Sequence, residues 1–76
     1  MEKYRTKDIY EASALIASNA VLVTLEADSG FYWFVFENCD ICRTISDGYW
    51  SNQLSVFAKD YADAIRSLKD RVFASR

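Results

Sequence analysis

The chain has no proline and no histidine, and only two glycines and two cysteines. Without proline, no cis-proline turn is available to it. Without histidine, no serine can be activated by a Ser-His pair. Zinc needs four ligands, and Cys39 and Cys42 are the only thiols, so a Cys₄ site would require a symmetric dimer. Two cysteines three positions apart cannot staple a fold, which predicts a reducing, cytoplasmic setting. The most apolar run, Phe31 to Phe36, is six residues long, far short of the roughly 20 that a membrane span needs. The start, Met-Glu-Lys-Tyr-Arg, is charged and leads directly into no apolar segment, so no signal peptide is expected. Net charge is −2, which provides no global basic field for nucleic acid. Internal repeats, linkers and low-complexity stretches are also missing.

What the chain has is apolar and aromatic surface. Of its 76 residues, 51% are hydrophobic and 16% aromatic, which argues against disorder. One domain is expected, with 1–76 as its span and residues 1–5 as a flexible arm. A chain this short buries only roughly 60–65% of its unfolded surface, and small domains often gain stability by oligomerising. Phe31-Tyr32-Trp33-Phe34-Val35-Phe36 has the length and residue types of a strand. Alternation puts Phe31, Trp33 and Val35 on one face and Tyr32, Phe34 and Phe36 on the other. Both faces are apolar and need cover. The strand is therefore expected at the centre of a sheet, or on a face that a partner covers.

Around it, the sequence predicts an α+β fold in the order helix, β-hairpin, helix, short strand, helix, about one small antiparallel sheet. Thr6 caps a first helix over Lys7 to Ser18, with Ile9, Ala12, Ser13 and Ile16 on the core face and Lys7, Asp8 and Glu11 opposite. Asn19 ends it in a left-handed conformation. Ala20 to Glu26 is a strand with Val21, Val23 and Leu25 on one face. Asp28-Ser29-Gly30 turns it into the aromatic strand as a hairpin. Asn38 caps a second helix to Tyr49, with Ile41, Ile45 and Tyr49 facing the core. Leu54 to Val56 reads as the short third strand. Ala58 to Ala74 is a helix with the stripe Tyr61, Ala64, Ile65, Leu68 and Val72. A helical bundle is the alternative if the aromatic run were helical.

Few of these residues carry a chemical signal. Cys39-Asp40-Ile41-Cys42 lies at a helix N-terminus, where a dipole lowers a thiol pKa. A thioredoxin-like site would need a preceding βαβ unit, so two small apolar thiols are the plainer reading. Glu26, Asp28, Glu37, Asp40 and Asp47 read as a solvated rim. Lys3, Arg5 and Lys7 cluster at one end, and Arg66, Lys69, Arg71 and Arg76 at the other. With Tyr4 or Phe73 they suit a phosphate backbone, although Asp63 and Asp70 interrupt the second set. The aromatic excess says most. Core positions fall to Trp33, Phe34, Phe36 and Tyr61, but Trp50 and Phe73 have none. Trp50 either anchors an interface or caps one end of the core. Phe73 and Tyr32 with Trp50 as aromatic centre, and Arg66 and Arg71 as polar rim, are the candidate interaction residues.

Four stretches carry a resemblance: Thr6-Lys7-Asp8, Trp33-Phe34-Val35-Phe36-Glu37, Tyr49-Trp50, and Ala58-Lys59 with Ala64-Ile65-Arg66-Ser67-Leu68-Lys69. Together they resemble a family of short domains of unknown function encoded by bacteriophages and bacterial mobile elements. The chain departs from the pattern at Phe57, where similar sequences carry a polar cap such as Asn. The resemblance transfers no activity. It implies a phage or mobile-element origin, hence the host cytoplasm. Small proteins of that origin often bind host proteins, and with the aromatic excess this makes the expectation a non-enzymatic protein that binds a host or phage protein, such as an inhibitor of a host defence complex of the CRISPR-effector kind. A homodimer is the default assembly. A small nucleic-acid-binding module is the alternative, and neither a cofactor nor a membrane is expected.

Overall fold

The computed structural model of the chain describes residues 2–75. Met1 and Arg76, the latter counted above with the basic residues, lie outside them. The architecture is α+β: a three-stranded antiparallel sheet with three helices. In chain order the elements are β1 (Tyr4–Thr6), α1 (Ile9–Ala17), β2 (Leu22–Asp28), β3 (Phe31–Phe36), α2 (Cys39–Trp50) and α3 (Ala58–Ala74). The sheet order is β1-β3-β2, so the aromatic strand is central, as its two apolar faces predict. One face of β3, with Phe34 and Phe36, joins Ala12, Leu15, Cys42 and Leu68 in the core. Every helix thus contributes to the cover of that face.

The third strand is not where the sequence reading puts it. Leu54 to Val56 forms no strand, and the supposed N-terminal arm supplies β1 instead. Tyr4, Arg5 and Thr6 pair with Phe36, Val35 and Phe34. The physical reason is alternation too short to stand out in sequence. Thr6 is buried and Tyr4 half-buried, while Arg5 points outward. The Cys39 N–H donates to the Glu2 carbonyl at 2.9 Å and ties the segment to α2. With Thr6 in a strand, α1 starts two residues later than expected. Asp8 is its N-cap and accepts from the N–H groups of Tyr10 and Glu11.

The first hairpin strand contains a correction as well. Leu22 pairs with Phe36 and Thr24 with Val35, leaving Val23 as a bulge. The bulge breaks the alternation, so Leu22 and Leu25 share the core face while Val21 and Val23 are exposed. Ser29 and Gly30 turn the hairpin with φ of 43° and 93°, the two positive values of a type I′ turn.

Two helices end alike. Asn19 follows α1 and Asn52 follows α2, both at positive φ. The Ala20 N–H donates to the Leu15 carbonyl and the Gln53 N–H to that of Gly48, the long bonds of two Schellman motifs. α1 is buried over Glu11 to Leu15, because α2 and α3 flank it and the sheet lies beneath. α3 runs antiparallel to α1, with Ile9 beside Val72 and Ile16 beside Ala64. Its predicted bounds and stripe are those observed, with Ala64 and Leu68 fully in the core. α2 has the expected Asn38 cap and, to within a residue, the expected bounds, but its buried face differs: Cys39, Cys42 and Ser46 face inward, Ile45 flanks them, and Ile41 is exposed. Ile45 packs at the edge of the core, and Ile41 falls outside it.

α3 begins without a side-chain cap. Phe57 occupies the N-cap position with extended backbone and is 81% exposed. It loses little burial on replacement, and Asn can accept from the free N–H groups. Phe57→Asn is expected to stabilise the fold by about 1 kcal/mol, read as a higher urea midpoint at unchanged slope.

Candidate functional site

Glu11 is the hub of the helix-side surface. Its place at the third position of α1 turns it toward β1 and the end of α2, and only 5% of it is exposed. One carboxylate oxygen accepts from the Thr6 hydroxyl at 3.0 Å and from the Trp50 indole N–H at 3.2 Å. The other accepts from the Tyr4 hydroxyl at 2.5 Å. Thr6 in turn accepts from the Asp8 N–H at 3.1 Å. Among the described residues no cation pairs with this carboxylate. Three donors offset the cost of burying it. The sequence reading placed Glu11 on the solvent side, because it gave α1 one exposed face, whereas residues 11–15 are all buried.

Trp50 stands on that hub. Its N–H is taken by Glu11 and its ring meets Tyr49 edge-on, with centroids 4.9 Å apart, yet 60% of the residue is exposed. Beside it, Ala14, Tyr49, Asn52, Leu54, Val56 and Tyr61 line a groove of about 300 Å³. The Tyr61 hydroxyl donates to the Tyr10 carbonyl at 3.4 Å. Burial, with the Tyr49 hydroxyl as a second cause, pushes the Tyr61 phenol up to about 12.

The other expected interaction residues are spread along α3 and do not converge on Trp50. Phe73 is 73% exposed and lines a separate groove with Ile9, Lys69, Asp70 and Val72. Tyr32 is half-buried and donates to the Ser75 carbonyl at 3.0 Å, clasping the end of the same helix. Arg66 is held by Asp63, which also takes Lys59. Arg71 is exposed in the last turn, where the helix dipole favours a cation. Tyr10, Val21, Val23, Ile41 and Phe57 are further exposed apolar residues that the sequence reading did not single out as a surface. Trp33, expected in the core, lies instead on the outer sheet face.

The cysteines pack as small residues. Cys39 and Cys42 are free and buried. The Cys42 thiol donates to the Glu37 carbonyl at 3.3 Å, and burial, then the charges of Cys39 and Glu11, pushes its pKa up. That makes it a poor nucleophile at neutral pH. The Arg43 guanidinium lies 3.5 Å from the Cys39 sulfur. No group of three metal-ligating side chains exists among the described residues. No described helix is long and apolar enough to cross a membrane.

The chain matches no family model, no curated protein and no solved structure.

Two expected outcomes follow from this geometry. Glu11→Ala strands three donors and should cost about 2–4 kcal/mol in chemical denaturation, while freeing the Trp50 ring and shifting its fluorescence. The second concerns alkali. Burial raises the Tyr4 phenol as well as Tyr61 and Cys42, and each of these acids is neutral when protonated. Their contribution is complete below the unfolded values, 9.0 for the thiol and 10.0 for the phenols, and is lost as pH rises through the folded ones. Stability should therefore be flat to about pH 9 and fall above it, and Tyr61→Phe should remove the part lost between 10.0 and about 12.

Proposed function

We propose that the protein acts by binding another protein, without catalysis, through the aromatic surface of its helix layer. The observation that carries this reading is Trp50. An exposed indole usually loses rotamer freedom only on binding. Here its N–H is already satisfied by Glu11 and its ring is braced by Tyr49, so the anchor is set before a partner arrives. Trp and Tyr in such positions dominate interface energies. Phe73 near the end of α3 supplies a second contact point, with Arg66 and Arg71 on the same helix and Tyr32 at its end. The resemblance to phage and mobile-element domains makes the partner a host or phage protein. It extends the reading to inhibition of a host defence complex, a CRISPR effector being the kind to test first.

A second reading, a nucleic-acid module, draws on Arg5 and Lys7, which lie over the rings of Trp33 and Phe31. Stacking platforms of single-strand binders combine these residue types. Glu26 and Asp28 on the same face oppose it.

The experiment is affinity capture from host lysate with mass spectrometry, run beside a Trp50→Ala, Phe73→Ala double variant, followed by a phage-restriction assay. The double variant should keep its fold and lose the partner at least about 30-fold, the equivalent of about 2 kcal/mol for an anchor residue. Expression of the wild type should restore plating of a phage that the defence system restricts. Equal capture by both proteins would sink the proposal.

A further inference from the structure

The outer face of the sheet departs from what an antiparallel sheet with one open side normally shows. Such a face is polar, alternating with the buried one. Here its central row is Phe31, Trp33 and Val35. Phe31 and Trp33 are half-exposed and meet edge-on, with centroids 5.5 Å apart. The helices share their core with the opposite face, so the cover on this one comes from strand side chains and Lys7.

Those side chains form two rungs across the strands, the first of them diagonal because Arg5 is the register partner of Val35. In the first, the Arg5 guanidinium lies over the Trp33 ring at 5.6 Å, and Glu26 is the register partner of Trp33. Arg5 and Glu26 stand on opposite sides of β3 and join in an ion pair, so the bridge crosses the central strand and covers Val35. In the second rung, the Lys7 ammonium lies over the Phe31 ring at 5.2 Å, and Asp28 is the register partner of Phe31. This rung is not closed. Lys7 has no ion pair among the described residues, and Asp28 accepts only the Trp33 indole N–H, at 3.1 Å. The face therefore has a cationic edge on the β1 side, an aromatic centre and an acidic edge on β2.

We infer that this face binds a second copy of the chain, about a two-fold axis parallel to β3. Rotation about such an axis exchanges the two edges and keeps the height of each residue. It sets Trp33 on Trp33 and Phe31 on Phe31. Each Lys7 then lies opposite the second copy's Asp28, closing the open rung twice. An axis across the strands would instead put cation on cation, so charge selects the first arrangement. It is also the aligned packing that twisted sheets adopt face to face. Single-stranded nucleic acid is the less favoured occupant, because its phosphates would meet Glu26 and Asp28. Strands of three, seven and six residues offer about 250 Å² of flat area, well below the roughly 800 Å² per partner of a standard interface. The dimer is accordingly weak and concentration-dependent. This inference is independent of the helix-side surface proposed above.

Sedimentation equilibrium over micromolar to millimolar concentrations tests it. The wild type should dimerise with a dissociation constant of roughly 10–100 µM, in keeping with the small area. Lys7→Glu alone and Asp28→Lys alone should each weaken the dimer at least about tenfold, since each sets like charges together twice. An equimolar mixture of the two variants should restore it, because both contacts then join opposite charges. Circular dichroism checks the fold, and Phe31→Glu, which places like charges on the axis, should abolish dimerisation in a folded chain. A wild type that stays monomeric at millimolar concentration overturns the inference. So does a dimer indifferent to these substitutions, or a mixture that fails to recover. A monomer that binds a single-stranded oligonucleotide, released by salt, would assign the face to nucleic acid instead.

Discussion

A strand that is apolar on both faces has to be covered twice, and a 76-residue chain has few elements with which to do it. β3 is that strand, and the rest of the molecule is arranged to cover it. Its two neighbours are each antiparallel to it, β2 along its whole length and β1 along Phe34 to Phe36. All three helices are spent on Phe34 and Phe36. What remains for Phe31, Trp33 and Val35 is a thin layer of charged side chains, in which an arginine stem crosses the strand to reach a glutamate. A two-layer α+β domain of this size is left with one well-made core and one face that only charge and aromatic contacts protect.

The second organising interaction is the buried Glu11 carboxylate. It accepts from Tyr4 and Thr6 of β1 and from Trp50 of α2, while belonging itself to α1. Four residues from three elements therefore depend on one another. A short edge strand of three residues has little stability of its own. The bonds from Tyr4 and Thr6 to Glu11 hold it against α1, and the Cys39 to Glu2 backbone bond holds it against α2. The same carboxylate fixes the direction of an exposed indole. Fold and candidate surface are thus joined at a single side chain, which a hydrophobic residue of similar size could not replace without freeing both.

Much of this was legible in the chain. The aromatic run announces a central strand because its residue types favour a strand and both of its faces are apolar. α3 is readable to the residue, since 17 residues of unbroken 3.6-residue periodicity outweigh its missing cap. Asn19 and Gly30 mark backbone positions with positive φ, which such residues tolerate best, and Asn38 caps α2. Trp50 and Phe73 stand out as aromatics without a core register, and both are exposed. The parts that misread share one feature: their local pattern is short or admits two registers. β1 has three residues. The bulge at Val23 shifts the alternation of β2 by one. α2 presents Cys39, Cys42 and Ser46 to the core although Ile41 is the more apolar choice.

By itself, then, the amino-acid sequence determined the elements whose hydrophobic period runs long enough to be unambiguous, and the residues that had no place in them. Tertiary structure decided which face of α2 is buried, which segment completes the sheet, and that Glu11 is inside. The reason is physical. A three-residue strand or a buried carboxylate is stable only through partners distant in the chain: Phe34 to Phe36 for β1, and Tyr4 and Trp50 for Glu11. Neither has a local signature, because the free energy that holds it there belongs to contacts that exist only once the chain is folded.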